Sequence, residues 1–163
     1  HFDHIGGVEE LAKLTGARVY ISDGEKELIH DTDANLSSQY HNPKTVQPDV
    51  FLRDGETVEI AGMTIRCIQT PGHTEGSCCY YIEETGEEEK GNAGKKPCPP
   101  ILLSGDTLFE ESVGRTDFPT GSMSALVRSV REKLFILPDE TLVYPGHGGM
   151  TQIGHEKQYN AMV

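Results

Sequence analysis

Apolar positions near the start of the chain fall three to four residues apart. Val8, Leu11 and Leu14 follow Gly6-Gly7 and precede Gly16, the spacing of one helical face with a residue that ends helices behind it. Residues Ala17–Ser22 then predict a short strand, and Glu25–His30 a short helix. Between Asp31 and Asp49 the chain is rich in Ser, Asn, Gln and Pro without periodicity, which predicts a surface excursion of the kind that borders a pocket. From Val50 the pattern shortens. Val50–Leu52, Thr57–Ile60 and Met63–Gln69 are strand-like runs parted by Asp54-Gly55 and Ala61-Gly62 turns, and Ser77–Ile82 and Ile101–Ser104 extend them into a β-meander. Glu83–Pro100 lacks apolar anchors and predicts a flexible loop between two neighbouring strands, its acidic run a solvated tip. Ser122–Phe135 returns to helical spacing through Met123, Leu126, Val127, Val130, Leu134 and Phe135, with Ser122 or Ser124 as N-cap and Pro138 beyond the end. Thr141–Tyr144 predicts a last strand and Gly154–Met162 a last helix. Strands interrupted by amphipathic helices imply sheets covered by helices, an α/β or α+β layering, and no fixed-period repeat points to a solenoid or propeller.

Composition narrows the picture. A chain of 163 residues with 36% hydrophobic side chains has the apolar share for one folded domain over 1–163. The 26 acidic side chains against 14 basic ones give a formal net charge of -12, which argues against nucleic acid or an anionic membrane as partner. The longest apolar stretches, such as Ile101-Leu102-Leu103, fall far short of a membrane span. Cys67, Cys78, Cys79 and Cys98 suggest no disulfide framework, and no secretory signal opens the chain, so a cytoplasmic location is expected. No initiator Met precedes His1-Phe2-Asp3-His4, and a natural start further upstream is expected.

Chemistry concentrates in four segments: His1-Phe2-Asp3-His4-Ile5-Gly6-Gly7, Thr70-Pro71-Gly72-His73-Thr74, Ser104-Gly105-Asp106-Thr107 and Tyr144-Pro145-Gly146-His147-Gly148. In each, a His or Asp stands beside Gly at the end of an apolar or strand-like run. Imidazole and carboxylate together suit zinc, manganese or iron, and catalytic metal sites gather ligands from several strand ends. Any one of these His residues alone reads equally as a surface or capping group; their joint recurrence favours metal. Asp3 and His4 are neighbours and reach two adjacent ions only if their loop lets them diverge, a freedom Gly6-Gly7 would supply. His30, His41 and His155 lack such settings and read as surface residues, with His41 and Tyr40 also candidates for a pocket rim. Ser77, Cys78 and Cys79 read as packed strand residues rather than nucleophiles, because no His-and-acid pattern attaches to them.

These segments resemble the metallo-β-lactamase superfamily, and especially its glyoxalase II-like (hydroxyacylglutathione hydrolase-like) branch. The first family motif is His-x-His-x-Asp-His, which the chain matches from the second His onward at His1-Phe2-Asp3-His4. Pro71-Gly72-His73-Thr74, Gly105-Asp106 and Pro145-Gly146-His147-Gly148 are similar to the later ligand motifs in order and spacing. Gly114-Arg115-Thr116-Asp117 is similar to a segment of short glyoxalase II-like proteins and of the related persulfide dioxygenases. The resemblance implies an αββα sandwich lacking its N-terminal strands, and two divalent metal ions, expected to be zinc, with iron or manganese as alternatives. It implies that His1 and His73 bind one ion, that Asp3, His4 and His147 bind the second, and that Asp106 bridges both. The family's first His, two positions before His1, has no counterpart in the chain.

The activity so implied is metal-dependent hydrolysis of thioesters such as S-acylglutathione by a metal-bridging hydroxide, with Asp3 as the catalytic residue that orients the nucleophile and takes its proton. The partner is then a small-molecule substrate, and the sequence leaves the oligomeric state open. Arg115 and Asp117 read either as an ion pair bracing the loop behind the metals or as a substrate-facing pair. Two other readings stand beside this one: a mononuclear iron persulfide dioxygenase-like oxidoreductase, towards which Arg115-Thr116-Asp117-Phe118 leans, and a non-catalytic fragment of the same fold. Gly146-His147-Gly148 leans towards the hydrolase.

Overall fold

In the computed structural model, residues 1–83 and 98–163 are described, and they form two compact units, His1–Asp54 and Gly55–Val163. Most of the loop expected over Glu83–Pro100 lies outside the described residues.

The first unit opens with a single helical turn, α1 (Phe2–Ile5), followed by α2 (Val8–Thr15). Gly16, at φ +68°, ends α2 in the left-handed conformation and returns its N–H to the Ala12 carbonyl, as the sequence pattern anticipated. The first motif therefore sits on a helical turn and not on the flexible loop expected from Gly6-Gly7. Both glycines keep right-handed, helix-like backbone angles, so their special freedom is unused there. Strand β1 (Tyr20–Ser22) pairs in parallel with β2 (Val50–Leu52), Ile21 opposite Phe51. This corrects the expected place of Val50–Leu52 in the meander: alternation marks a strand but does not encode its partner. In place of one helix over Glu25–His30 the chain makes two 3-10 turns, Asp23–Glu25 and Leu28–His30.

The polar excursion between β1 and β2 is anchored through Asn35, which is fully buried. Its Nδ2 donates to the Lys44 carbonyl at 2.8 Å, its Oδ1 accepts from Ser37 N at 3.0 Å, and its carbonyl accepts from Phe2 N at 2.9 Å. A buried amide is retained only where its polar atoms are satisfied; here they hold the excursion together, while the main-chain carbonyl of Asn35 ties it to α1.

The second unit is built on a six-stranded sheet in the order β10-β9-β6-β5-β4-β3. The strands are β3 (Thr57–Ile60), β4 (Met63–Gln69), β5 (Cys78–Ile82), β6 (Ile101–Gly105), β9 (Leu142–Pro145) and β10 (Thr151–Gln152). From β3 to β6 they run as the expected antiparallel meander. β9 then lies parallel to β6, with Leu102 opposite Val143. A small hairpin, β7 (Leu108–Phe109) and β8 (Ser112–Val113), follows β6; its two-residue strands are too short to show a period.

Helix α3 (Met123–Ser129), with the Ser122 hydroxyl accepting from Ala125 N as its cap, runs into a π-helical segment over Val130–Leu134. Helix α4 (Ile153–Tyr159) closes the unit. Leu126, Val130 and Leu134 from the first of these, Ile153 from α4 and Leu108 from β7 pack on Ile68, Cys79, Tyr81, Leu102 and Val143 of the sheet to form the core. Burying a side chain of this size contributes roughly 1.5–3 kcal/mol, so this face holds the strands in register and their ends in place.

Candidate metal centre

Strand β5 runs antiparallel to both β4 and β6, and β9 is parallel to β6, so β4, β6 and β9 all point the same way. Their carboxyl ends lead into His73, Asp106 and His147 respectively. This is where open sheets with parallel neighbours place ligands. Asp106 and His147 are about 40 positions apart in sequence, yet the β6–β9 register sets Gly105 opposite Pro145, and Gly146 N donates to the Gly105 carbonyl at 2.8 Å.

The three side chains converge on one oxygen. Asp106 Oδ2 lies 3.6 Å from His73 Nε2 and 3.6 Å from His147 Nε2. Both separations exceed hydrogen-bond length. They match the separation of two donors on a common ion, since ligands at ~2.0–2.2 Å with tetrahedral angles stand roughly 3.3–3.6 Å apart. Two imidazoles around one carboxylate oxygen also form the donor set that suits zinc or iron, so the residues fit such an ion. The His73 and Asp106 side chains are 9% and 14% exposed, whereas His147 is 55% exposed, which makes the His147 side the open one.

His73 is oriented from behind. Its Nδ1 donates to the Arg115 carbonyl at 2.8 Å, which fixes a proton on Nδ1, while Nε2 lies on the Asp106 side. The Phe118 ring packs edge-on to the His73 ring, centroids 5.5 Å apart, and the Arg115 guanidinium lies 4.4 Å from the Phe118 centroid. That guanidinium grips Asp117 with two hydrogen bonds of 2.7 and 2.6 Å and holds its carboxyl down at about 2. The Arg115 carbonyl is a contributor that residue-type reasoning passes over, because a backbone oxygen has no sequence signature.

The supporting groups are close-packed. A Cβ at Gly114 would lie 1.8 Å from the Asp106 carbonyl oxygen, and one at Gly72 would overlap Leu126 Cβ at 2.3 Å. Both positions require glycine through close approach. Beneath the ligands, Thr70 Oγ1 and Thr107 Oγ1 hydrogen bond at 2.8 Å, joining the ends of β4 and β6 across β5. Cys79 is buried beside Thr70, and burial pushes its thiol up to about 12, so it is a packed, inert residue. Cys67 is buried as well, while Cys98 is exposed.

The remaining candidates lie in the first unit. His1 is the N-cap residue of α1; Asp3 and His4 are exposed on that turn, with His4 Nε2 at 3.8 Å from Asp3 Oδ2. Tyr40 stacks on Phe2, ring centroids 4.1 Å apart, while His41 is exposed. In the second unit His155 pairs with Glu111 at 3.1 Å. Among the described residues no helix is long and apolar enough to cross a membrane.

Comparison with known proteins bears on the fold and the family. Residues 1–86 match the model of the metallo-beta-lactamase superfamily. A probable metallo-hydrolase of Bacillus subtilis, YqgX, is 33% identical, the match covering 98% of this chain and 70% of that protein. The hydroxyacylglutathione hydrolase GloC of Haemophilus influenzae is 30% identical over the same shares. Among solved structures, the BLEG-1 B3 metallo-beta-lactamase superposes with a TM-score of 0.82 at 33% identity, covering 99% of this chain and 72% of that one. TTHA1623 in a di-iron-bound form gives 0.74 at 31% identity over 100% and 73%, and ETHE1 from Myxococcus xanthus gives 0.61 at 29% over 94% and 66%. A mixed α+β fold, strand ends that gather two histidines on one aspartate, and relatives that share nearly the whole of its length place this chain in the metallo-β-lactamase superfamily.

Proposed function

We propose that the protein is a dinuclear metal-dependent hydrolase acting on thioesters such as S-acylglutathione. The observation that carries the reading is Asp106 Oδ2 standing 3.6 Å from both His73 Nε2 and His147 Nε2, so that one carboxylate serves both imidazoles, as the bridging role implied by the motif would require. The motif assigns His1 to the His73 ion, and Asp3 and His4 to the His147 ion, with zinc the favoured metal and iron, as in the di-iron relative, the alternative. Bound divalent ions supply Lewis acidity, polarising a carbonyl and making water a nucleophile near neutral pH.

The chain's own groups do the rest. Asp106 fixes the spacing, and the Arg115 carbonyl keeps His73 in the tautomer that presents Nε2 on the Asp106 side. Asp3 orients the attacking water and accepts its proton on a carboxylate oxygen. A thiolate leaving group needs no proton from the protein, and the site accordingly asks for no general acid. The thioester assignment draws on the likeness to the hydroxyacylglutathione hydrolase GloC.

A second reading, a mononuclear iron persulfide dioxygenase-like oxidoreductase, draws on Arg115-Thr116-Asp117-Phe118 and on the asymmetry between buried His73 and exposed His147. Elemental analysis of protein purified without chelator separates the two. About two zinc, iron or manganese ions per chain with turnover of an S-acylglutathione supports the hydrolase; one iron with oxygen consumption supports the oxygenase. Replacing Asp106 by Ala is expected to lower metal-dependent turnover by more than the ~10–100-fold that loss of an outer-shell partner costs. Retained turnover in that variant overturns the bridging role.

A further inference from the structure

Helix α4 carries a carboxylate the chemistry above does not use. Glu156 is fully buried, and three neutral donors from three different segments converge on it. Thr151 Oγ1 donates to Oε1 at 2.6 Å; Glu111 N and Asn160 Nδ2 donate to Oε2 at 3.0 and 2.8 Å. Asn160, one turn further along, uses the same Nδ2 to reach the Ser112 carbonyl at 3.0 Å. A carboxylate accepts through both oxygens and is the side chain able to satisfy three converging donors at once.

The two oxygens face two different parts of the metal centre. Oε2 holds the turn of the β7–β8 hairpin, where Glu111 takes the left-handed conformation at φ +51°. That hairpin begins two residues after Asp106 and ends at Val113, next to Gly114, which lies against the Asp106 carbonyl. It also carries Phe109, whose ring meets the His147 ring edge-on at 6.3 Å. Oε1 holds Thr151, the first residue of β10, on the segment that leaves His147. One buried group thus ties the chain after Asp106 to the chain after His147.

We propose that Glu156 is a positioning residue that sets the Asp106–His147 separation from behind, and so tunes how tightly the ion between them is held. The inference rests on the metal reading of Asp106 and His147 given above. Its test uses the intact chain with zinc(II) alone, the affinity read by competition with a chromophoric chelator, together with the imidazole nitrogen and carbon-bound proton signals of His73 and His147 in the metal-free protein by NMR. Thr151→Val removes the Oε1 arm without changing side-chain volume, and Glu156→Ala removes both arms.

Thr151→Val is expected to weaken zinc binding by ~10-fold or more, the size of an outer-shell loss, and to shift the His147 ring signals while leaving those of His73 in place. Glu156→Gln, which keeps the volume and a carbonyl acceptor for Glu111 N, is expected to restore more of the affinity than Glu156→Ala. If Glu156→Ala does not fold, Thr151→Val decides the matter. Unchanged zinc affinity and unchanged His147 signals in Thr151→Val, even with a lower melting temperature, overturn the proposal and leave Glu156 a purely structural acid. If the native chain binds no zinc yet Thr151→Val moves the His147 ring, the metal reading fails while the positioning role stands.

Discussion

Arg115 serves the site with two different parts of itself. Its carbonyl orients His73, while its guanidinium is spent on Asp117 and the Phe118 ring, so the side chain steadies the backbone whose oxygen does the orienting. The ion pair is exposed, and its effect on global stability is accordingly small. Its signature is a titration. Asp117 is depressed from an ordinary 3.8 to about 2, so the stabilisation it lends is fully present above the ordinary value and is lost as pH falls through about 2. A carboxyl NMR titration is expected to show Asp117 ionising near 2 in the native chain and close to 3.8 in Arg115→Met. The four motif segments announce themselves in the sequence because imidazole, carboxylate and glycine recur at the ends of apolar runs. Glu156 does not, because a Glu on a polar-looking helix is indistinguishable from a solvated one until its burial is known.

At the scale of elements, the helix through α3 and the π-helical segment is the template for the His73 loop. Three donors from it and its N-cap reach three carbonyls at the end of β4 and in that loop: Ser122 N to Gly72, Ser129 Oγ to Pro71 and Lys133 Nζ to Gln69, at 2.8, 2.9 and 2.7 Å. Leu126 fills the space that a side chain at Gly72 would need. Lys133→Met keeps most of the side-chain volume and removes a charged donor from a partly buried carbonyl, a loss of about 1–2 kcal/mol. Urea unfolding is expected to show it as a lower midpoint at unchanged slope. The helix was legible from apolar spacing, but its π-helical end was not. Leu126, Val130 and Leu134 stand four apart, a spacing that serves α and π windings alike, and the winding shows in the backbone, as in the Phe135 N to Val130 carbonyl bond at 2.8 Å. Strand pairing escaped for a similar reason: Val50–Leu52 reads as a strand in any sheet, and its parallel partner Tyr20–Ser22 lies beyond the polar excursion.

Across the whole molecule, burial is unevenly distributed between the two units. The core cluster belongs entirely to the second, whereas α2 in the first buries no residue and exposes Leu11 and Leu14. Amides that open locally do so at a cost set by the apolar contacts they break. Native-state hydrogen exchange is therefore expected to rank β4, β5, β6 and β9 as the slowest amides and α2 among the fastest; equal protection in both units would count against this.

The parallel pairing of β6 with β9 also bears on the order of events. Its two strands are separated by the hairpin and the long helix, so the contact that brings Asp106 beside His147 closes a loop of about 40 residues. Non-local pairings of this kind form late, after the closure entropy has been met by the rest of the sheet. Before that moment Asp106 follows a strand already paired in the meander, while His147 lies on a stretch not yet paired beside it, and the two offer an ion no common site. On this order metal is not expected to nucleate this unit: the chain is expected to fold first around its apolar core, with loading as a separate, later step.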